Sequence, residues 1–380
     1  MAEIKLRVDK REDTAGTGGQ TCPPGIKGNP PEWVIGTMAT EAGTVYRISG
    51  EWSRADFWGQ VKCRIGSYRD HYTVPPGLYA IGEPDKTSDV FASANYKLSF
   101  DILRREIKGL NAWILVLDTK GINVWCAAGK GAFGTDELIG RISGARLDKV
   151  VDHRKIILPQ LGAPGVSAHV VSRKTGFSVS YGPVDARDIP AYVKSGYKKT
   201  AEMRTVRFAL ADRLVLTPME ITPAMRKYYP LFALLVLVLF GLQPSGILFR
   251  DALSGGLPFL FLGLTAVLAG AFITPVLLPF IPFRSFALKG LIAGIAITYL
   301  TMELSGYFVR MHGLPLAAAW LFFPLASSYI ALQFTGSTTF TGMSGVKKEL
   351  KIAIPVYIFS SALSIILLLV FKLYEWRIIT

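Results

Sequence analysis

The chain has 380 residues, half of them hydrophobic, and a formal charge of +14 from 42 basic and 28 acidic side chains. That length leaves room for about two domains. The basic excess does not point to nucleic acid, because no basic run is interleaved with aromatics as single-strand binders require. Membrane proteins gather Lys and Arg on their cytoplasmic flanks, where these residues also meet anionic lipid.

The first ten residues carry charges of both signs and no apolar core, so no signal peptide is expected there. Residues 1–32, rich in Gly, Pro and Thr from Arg11 onward, read as a flexible leader. Globular texture begins at Trp33 and extends over 33–216. Within it Ala112–Leu117 is an uninterrupted apolar strand ended by Asp118. Thr135 is expected as an N-cap, with Asp136 and Glu137 placed where acids favour the helix dipole. The helix continues through Leu138, Ile139 and Ile142. A strand at Lys155–Leu158 stops at Pro159, and a helix over 166–173 and a strand over 177–181 follow. Strands separated by such helices predict a right-handed, mostly parallel α/β sheet with its ligand site beyond the carboxyl ends of the strands.

Residues 217–228 read as a linker, and 229–380 as an all-α polytopic transmembrane domain. Five apolar segments, at 229–249, 257–278, 286–304, 316–332 and 353–371, each approach the roughly 20 residues that cross a bilayer. Pro275, Pro324 and Pro355 are expected to kink or end helices. Arg226, Lys227, Arg284, Lys289, Lys347, Lys348 and Lys351 fall on the side of the globular domain; Arg250, Arg310, Lys372 and Arg377 fall on the other. The positive-inside rule then puts a multi-pass protein in the cytoplasmic (inner) membrane, with the globular domain in the cytoplasm and the C-terminus outside. Glu303 and His312, near the outer end of the third segment, read as interfacial. The Gly-, Ser- and Thr-rich loop 334–349 has two readings, a solvated connection or a docking surface on the domain side.

The three cysteines, Cys22, Cys63 and Cys126, are far apart and form no CxxC pair. This argues against a disulfide framework, a zinc site or an iron–sulfur cluster held by the chain alone, and suits a reduced, cytosolic setting. Cys126 lies in Gly121-Ile122-Asn123-Val124-Trp125-Cys126-Ala127-Ala128-Gly129-Lys130-Gly131. Gly129-Lys130 is followed by Gly131 rather than Ser or Thr, so the segment is no phosphate-binding P-loop. Gly129, Gly131 and Gly134 match a dinucleotide G-x-G-x-x-G before a helix, a weak signal in which Cys126 has no role. In a helical turn through 123–130, Cys126 and Lys130 share a face at i and i+4, and a neighbouring ammonium favours thiolate. Trp125 offers a flat surface for a planar cofactor, and Ala127, Ala128 and Gly129 permit close approach. Such a soft thiolate suits a transition-metal axial position; an arbitrary cysteine is more often a buried structural residue.

Asn123 to Lys130 resembles the signature of the mercury-methylating corrinoid protein family and, more distantly, the large subunit of the corrinoid iron–sulfur protein of the acetyl-CoA pathway. The stretches 90–101, 157–166, 181–184 and 188–191 carry the resemblance further, and the five-segment tail fits the first family. The resemblance implies a Rossmann-like corrinoid-binding domain. Cys126 would be the lower axial cobalt ligand of a base-off cobalamin, in place of the dimethylbenzimidazole base. By position it implies cofactor contacts from Asn123, Val124, Trp125, Ala127, Ala128, Gly129, Lys130, Gly131 and Thr135, and from Asn95, Gln160, Gly162, Gly165 and Gly182. It further implies a methyl-folate donor or its methyltransferase, mercury(II) as acceptor, and a ferredoxin-like partner with two [4Fe–4S] clusters as electron donor. Electron donation from a thiolate trans to the methyl group would suit transfer to an electrophilic metal ion. Two other functions are expected to compete: a corrinoid methyl carrier of the acetyl-CoA pathway and, more remotely, a transporter or scaffold with a nucleotide-binding domain.

Overall fold

Three consecutive strands are buried at every position, β3 (Gly77–Ile81), β4 (Val90–Ala94) and β5 (Ala112–Leu117). Such uninterrupted burial requires both faces of the sheet to be covered, as in the interior of α/β sheets. With β1 (Val34–Thr40), β2 (Gly43–Ile48), β6 (Lys155–Leu158) and β7 (Ser178–Tyr181) they form one sheet in the order β1-β2-β3-β5-β4-β6-β7. The computed structural model describes residues 30–306, 313–338, 340–341 and 343–379. Most of the expected leader, with Cys22, lies outside the described residues, as do Arg310, His312 and two positions of the 334–349 loop.

Contacts divide the chain into two units. One comprises residues 1–59 and 70–205, and the other residues 60–69 and 206–380.

In the first unit the sheet is mixed, not mostly parallel. β2/β3, β4/β5, β4/β6 and β6/β7 are parallel, whereas β1/β2 and β3/β5 are antiparallel. The antiparallel part includes the hairpin of β1 and β2 about the turn before Gly43, where β1 has no buried position and so lacks the apolar run that marks a strand in sequence. The helices are α1 (Arg54–Ile65, continuing past the unit's edge), α2 (Lys97–Glu106), α3 (Val124–Gly129), α4 (Thr135–Gly144), α5 (Leu147–Val150), α6 (Ala168–Thr175) and α7 (Ile189–Lys194). The helix expected over 166–173 is α6, shifted two residues along the chain, and a 3-10 turn at Gln160–Gly165 precedes it. Gly134, not Thr135, is the N-cap of α4.

The chain leaves β4 through α2 to β5 on one side, then crosses back through α3, α4 and α5 to β6 on the other. The connections therefore reverse direction at β4, the place where open α/β sheets form ligand crevices. Beneath lies a core in which Trp33, Tyr79 and Phe100 stack edge-on or tilted, with centroids 5.3–5.9 Å apart.

The second unit is helical: α8 (Leu210–Pro223), α9 (Tyr229–Gly241), α10 (Phe249–Leu268), α11 (Thr274–Val276), α12 (Phe286–Ser305), α13 (Leu314–Gln333) and α14 (Met343–Glu375). Among the described residues five helices are long and apolar enough to cross a membrane. Residues 217–228 are helical, because a π-helical turn at Ala224–Tyr228 joins α8 to α9. The first apolar segment ends at Gly241 rather than 249, where a two-stranded turn, β8 (Leu242–Gln243) and β9 (Gly246–Ile247), intervenes. Pro324 and Pro355 lie inside α13 and α14 without ending them. α12 and α13 approach closely because a Cβ at Gly290 or Gly294 would stand 2.5 Å or 2.8 Å from atoms of α13.

Candidate functional site

The carboxyl ends of β4 and β5 lie side by side, Ala94 opposite Leu117. The loop leaving β5 turns through two consecutive left-handed residues, Lys120 (φ 56°) and Gly121 (φ 72°). A lysine in that conformation is strained and persists only where its surroundings over-determine it. Asn95 supplies much of that constraint. Its Oδ1 accepts from the Thr119 amide (3.0 Å) and the Gly121 amide (3.0 Å), and lies 2.8 Å from the Thr119 hydroxyl. Its Nδ2 donates to Asp118 Oδ1 (3.1 Å), which also accepts from the Lys120 amide (3.0 Å). The Asp118 amide donates in turn to Glu137 Oε1 at the start of α4 (2.8 Å). Asn95 is buried, and its amide is spent on the loop.

This loop delivers α3. Asn123, in extended conformation, is the N-cap, and its Oδ1 accepts from the Cys126 amide at 2.9 Å. The cap contributes on the order of 1 kcal/mol and fixes the turn that bears the thiol. Ala127 and Ala128 are buried against the body, Cys126 is half-buried, and Trp125 is 40% exposed. An indole that open on a short, small-residue helix leaves apolar surface awaiting a cover. Lys130 is the exposed C-cap and forms no ion pair with an acid among the described residues.

The turn at Gln160–Gly165 packs on α3. A Cβ at Gly165 would fall 2.1 Å from the Phe133 carbonyl oxygen and 3.1 Å from Ala128 Cα, so only glycine fits. Gly162 faces the Phe133 ring, where a Cβ would stand 2.6 Å from the ring edge. Thr135 Oγ1 accepts from the Ser167 amide at 2.8 Å, tying the start of α4 to the start of α6. Thus Ala128, Gly162, Gly165 and Thr135 form the bed of α3. By contrast, Gly129 and Gly131 have open space where a Cβ would stand.

Gln160 and Gly182 meet through a residue that sequence reasoning missed. The Lys199 ammonium donates to Gln160 Oε1 (2.6 Å) and lies 3.4 Å from the Gly182 carbonyl. Burial pushes this lysine below its ordinary value, and Arg204 adds to the effect. No motif marks Lys199; only the fold brings it there. Val124 and Gly182 also line one small cleft of about 90 Å³ at the strand ends, with Ser93 and Pro159. Among the described residues no group of three or more His, Cys, Asp or Glu side chains is placed to hold a metal ion. Cys63, the other described cysteine, is buried with its Sγ 3.2 Å from the Gln60 carbonyl.

A second cluster was also missed. Ser53 and Asp56 cap α1 reciprocally, the Ser53 amide donating to Asp56 Oδ2 (3.0 Å) and the Asp56 amide to Ser53 Oγ (3.1 Å). Lys97 pairs with Asp56 (2.8 Å) and Asp101 (2.7 Å), and Arg104 pairs with the same two acids at 2.6 and 2.9 Å. Burial pushes the Asp56 carboxyl up, but hydrogen bonds from Lys97, the Ser53 amide and Arg104 outweigh it and leave it at about 2. This is a scaffold bond: it anchors α2, which follows Asn95.

The family model described as CO dehydrogenase/acetyl-CoA synthase delta subunit matches residues 63–193, which span α3 and its bed. The chain is similar to acetyl-CoA decarbonylase/synthase complex subunit gamma of Methanopyrus kandleri, 27% identical over 145 residues, 38% of this chain and 31% of that protein. The corresponding gamma subunit of Archaeoglobus fulgidus is 28% identical over 142 residues, 36% of this chain and 30% of its own. Subunit gamma 1 of Methanosarcina thermophila is 31% identical over 136 residues, covering 34% and 28%. The matches thus span less than a third of these relatives. The model is named for a delta subunit and the relatives for gamma, so the likeness reaches that kind of complex without singling out one subunit.

Proposed function

We propose that the sheet unit binds a corrinoid against α3, with Cys126 as its axial ligand, and that the protein transfers a methyl group from it to mercury(II). The single observation behind this reading is the presentation of Cys126. Its amide is capped by Asn123, its side chain is half-buried, exposed Trp125 precedes it, and positions 129 and 131 leave room beside it. Cys126 would supply a single thiolate to a metal already held by its macrocycle, and among the described residues no group of three or more His, Cys, Asp or Glu side chains could hold a bare ion. When bound, the corrinoid supplies a cobalt centre that carries the methyl group. Everything else is done by the chain. Asn95 and Asp118 hold the strained loop, Asn123 sets the first turn of α3, and Gly165 lets α3 settle on its bed. Trp125 would cover the macrocycle's edge, and Lys199 fixes Gln160 beside Gly182. The expected contact set thereby divides: Asn95, Gly162, Gly165 and Thr135 position the site, and Cys126, Trp125, Gly129, Lys130 and Gly131 border it.

The partners follow from the same reading: a methyl-folate donor or its methyltransferase, and a ferredoxin-like protein with two [4Fe–4S] clusters to restore the reduced state. The five apolar helices would cross the inner membrane, with the sheet unit in the cytoplasm and the C-terminus outside, in keeping with the basic residues that flank them.

The second reading is a corrinoid methyl carrier of the acetyl-CoA pathway, and for the choice of acceptor the comparisons favour it, since both the family model and the relatives are named for acetyl-CoA complexes. In favour of mercury(II) stand Cys126 and the apolar helices. The deciding experiment loads the full chain, in detergent, with a methylated corrinoid and offers it either mercury(II) or a CO dehydrogenase/acetyl-CoA synthase with CO and coenzyme A. The proposal expects methylmercury from the wild type, none from Cys126→Ala, and no acetyl-CoA. Acetyl-CoA formation without methylmercury establishes the second reading instead.

A further inference from the structure

The helical unit contains a groove of about 650 Å³ bounded by α12, α13 and α14. One end is basic. Arg284, just before α12, and Lys348, in the first turns of α14, are both exposed, and neither forms an ion pair among the described residues. Lys347 and Lys351 lie in the same stretch of α14. The acid at this end, Glu349, is already engaged, its Oε2 accepting from the Ser285 hydroxyl (2.9 Å) and the Ala287 amide (3.0 Å). That contact ties α14 to the start of α12. Deeper in, Ser328 of α13 lies 2.7 Å from the Tyr357 hydroxyl of α14 and donates to the Ala287 carbonyl (2.6 Å). The three walls are therefore pinned together by polar bonds around the groove.

Away from the charges the walls are apolar, formed by Leu288, Leu291, Leu325, Ile352 and Val356. Ile352 is 65% exposed and Val356 47%, so the trough is open along α14 to an apolar chain. From Lys348 to Val356 the groove runs about 12 Å along α14 at the helical rise of 1.5 Å per residue. A cationic mouth joined to an apolar trough of that length complements a phosphate with part of an acyl chain attached.

We infer that this groove binds one anionic phospholipid, its phosphate between Arg284 and Lys348 and one chain along Ile352 and Val356. The inference rests on the reading of the apolar helices as membrane spans and goes beyond it. The lipid would fasten α14 to α12 and α13 at the end where Glu349 caps α12.

The test uses the full chain. Membrane fractionation comes first: a chain that remains soluble without detergent overturns both the span reading and the site. Native mass spectrometry of the chain released from detergent then compares phosphatidylglycerol with phosphatidylcholine of the same chains. Phosphatidylglycerol is expected to remain bound preferentially. Arg284→Gln or Lys348→Gln should each weaken it about fivefold and the pair about thirtyfold, from the usual worth of a basic side chain near anionic lipid. Phosphatidylcholine adducts should not change. Arg284→Lys with Lys348→Arg should retain the preference, which shows that loss in the Gln variants is not misfolding. Equal retention of the two lipids, indifference to the double Gln variant, or displacement by millimolar inorganic phosphate alone would overturn the site while leaving the span reading intact.

Discussion

The two units bury charge in different ways. In the sheet unit Arg104, 1% exposed, is matched with carboxylates, those of Asp56 and Asp101, and Lys97 completes a closed four-residue network. In the helical unit the buried cations reach backbone carbonyls at helix ends. Arg213 donates to the Pro275 and Val276 carbonyls, Lys289 to those of Leu278 and Ile281, and Lys372 to that of Phe240, while Lys372 also pairs with Glu375 (2.6 Å). These carbonyls lie at or just beyond the ends of helical segments, where the last turn leaves acceptors without intrahelical partners and a negative dipole end. Arg213 and Lys289 are held there without an acid among the described residues. In the sheet unit Arg104 also donates to the Ser49 and Glu51 carbonyls (both 2.7 Å), but its remaining donors meet the two carboxylates. Buried Arg213 and Lys289 thus act as caps, whereas buried Arg104 marks acids brought in from elsewhere in the chain.

Removing one member of each arrangement tests this directly. Arg104→Ala leaves two buried carboxylates sharing only Lys97 and is expected to cost about 3–5 kcal/mol. Hydrogen–deuterium exchange at β4 and α2 in the full chain would register it; protection unchanged there would mean that the network is dispensable. Arg213→Ala exposes no charge and leaves only carbonyls short of a donor, so about 1–3 kcal/mol is expected, confined to α8, α11 and the turn after it. Equal losses for the two variants would erase the contrast.

Acid sharpens the comparison. The folded Asp56 carboxyl sits at about 2, below the ordinary 3.8 of an aspartate, so its contribution is complete above about pH 4 and is lost as pH falls toward 2. The difference is worth about 2 kcal/mol at 1.36 kcal/mol per unit. Exchange in α1 and α2 should therefore accelerate between pH 4 and 2, beyond the intrinsic change in exchange rate. The carbonyl contacts of Arg213 and Lys289 involve no carboxylate and should not open in that window. The smallest effect is expected at α3, where Asn123→Ala removes one cap bond and about 1 kcal/mol, seen as faster exchange of the Cys126 amide with the sheet unchanged.

How legible these arrangements were depended on range. The strands at Ala112–Leu117 and Lys155–Leu158 could be read residue by residue, because unbroken apolar runs end at Asp118 and Pro159. The five long helices were equally plain, although the first ran past its true end, since hydropathy averages over the turn at β8 and β9. The antiparallel hairpin of β1 and β2 was obscured by its exposed positions. Lys97, Asp101 and Arg104 look in sequence like a solvated helix face; only Asp56, 41 residues before Lys97, shows them to be interior. At the site, the segment from Asn123 to Lys130 was legible because cap, thiol and small residues are contiguous. Asn95 was singled out by its position in the motif, whereas its hydrogen bonds to the loop that delivers α3 emerge only from the fold. Lys199 was invisible because its partners, Gln160 and Gly182, belong to other strand ends.

Cys126 stands at the centre of the proposed site as the cobalt ligand. The most direct test of that role is the ultraviolet–visible spectrum of the full chain reconstituted with a corrinoid, wild type against Cys126→Ala, under reducing, anaerobic conditions and again after oxidation to cobalt(III). The account expects a base-off spectrum with thiolate-to-cobalt character in the wild-type oxidised form, lost in Cys126→Ala while some corrinoid remains bound through the rest of the α3 surface. Identical spectra from the two proteins, with corrinoid bound in both, would contradict it.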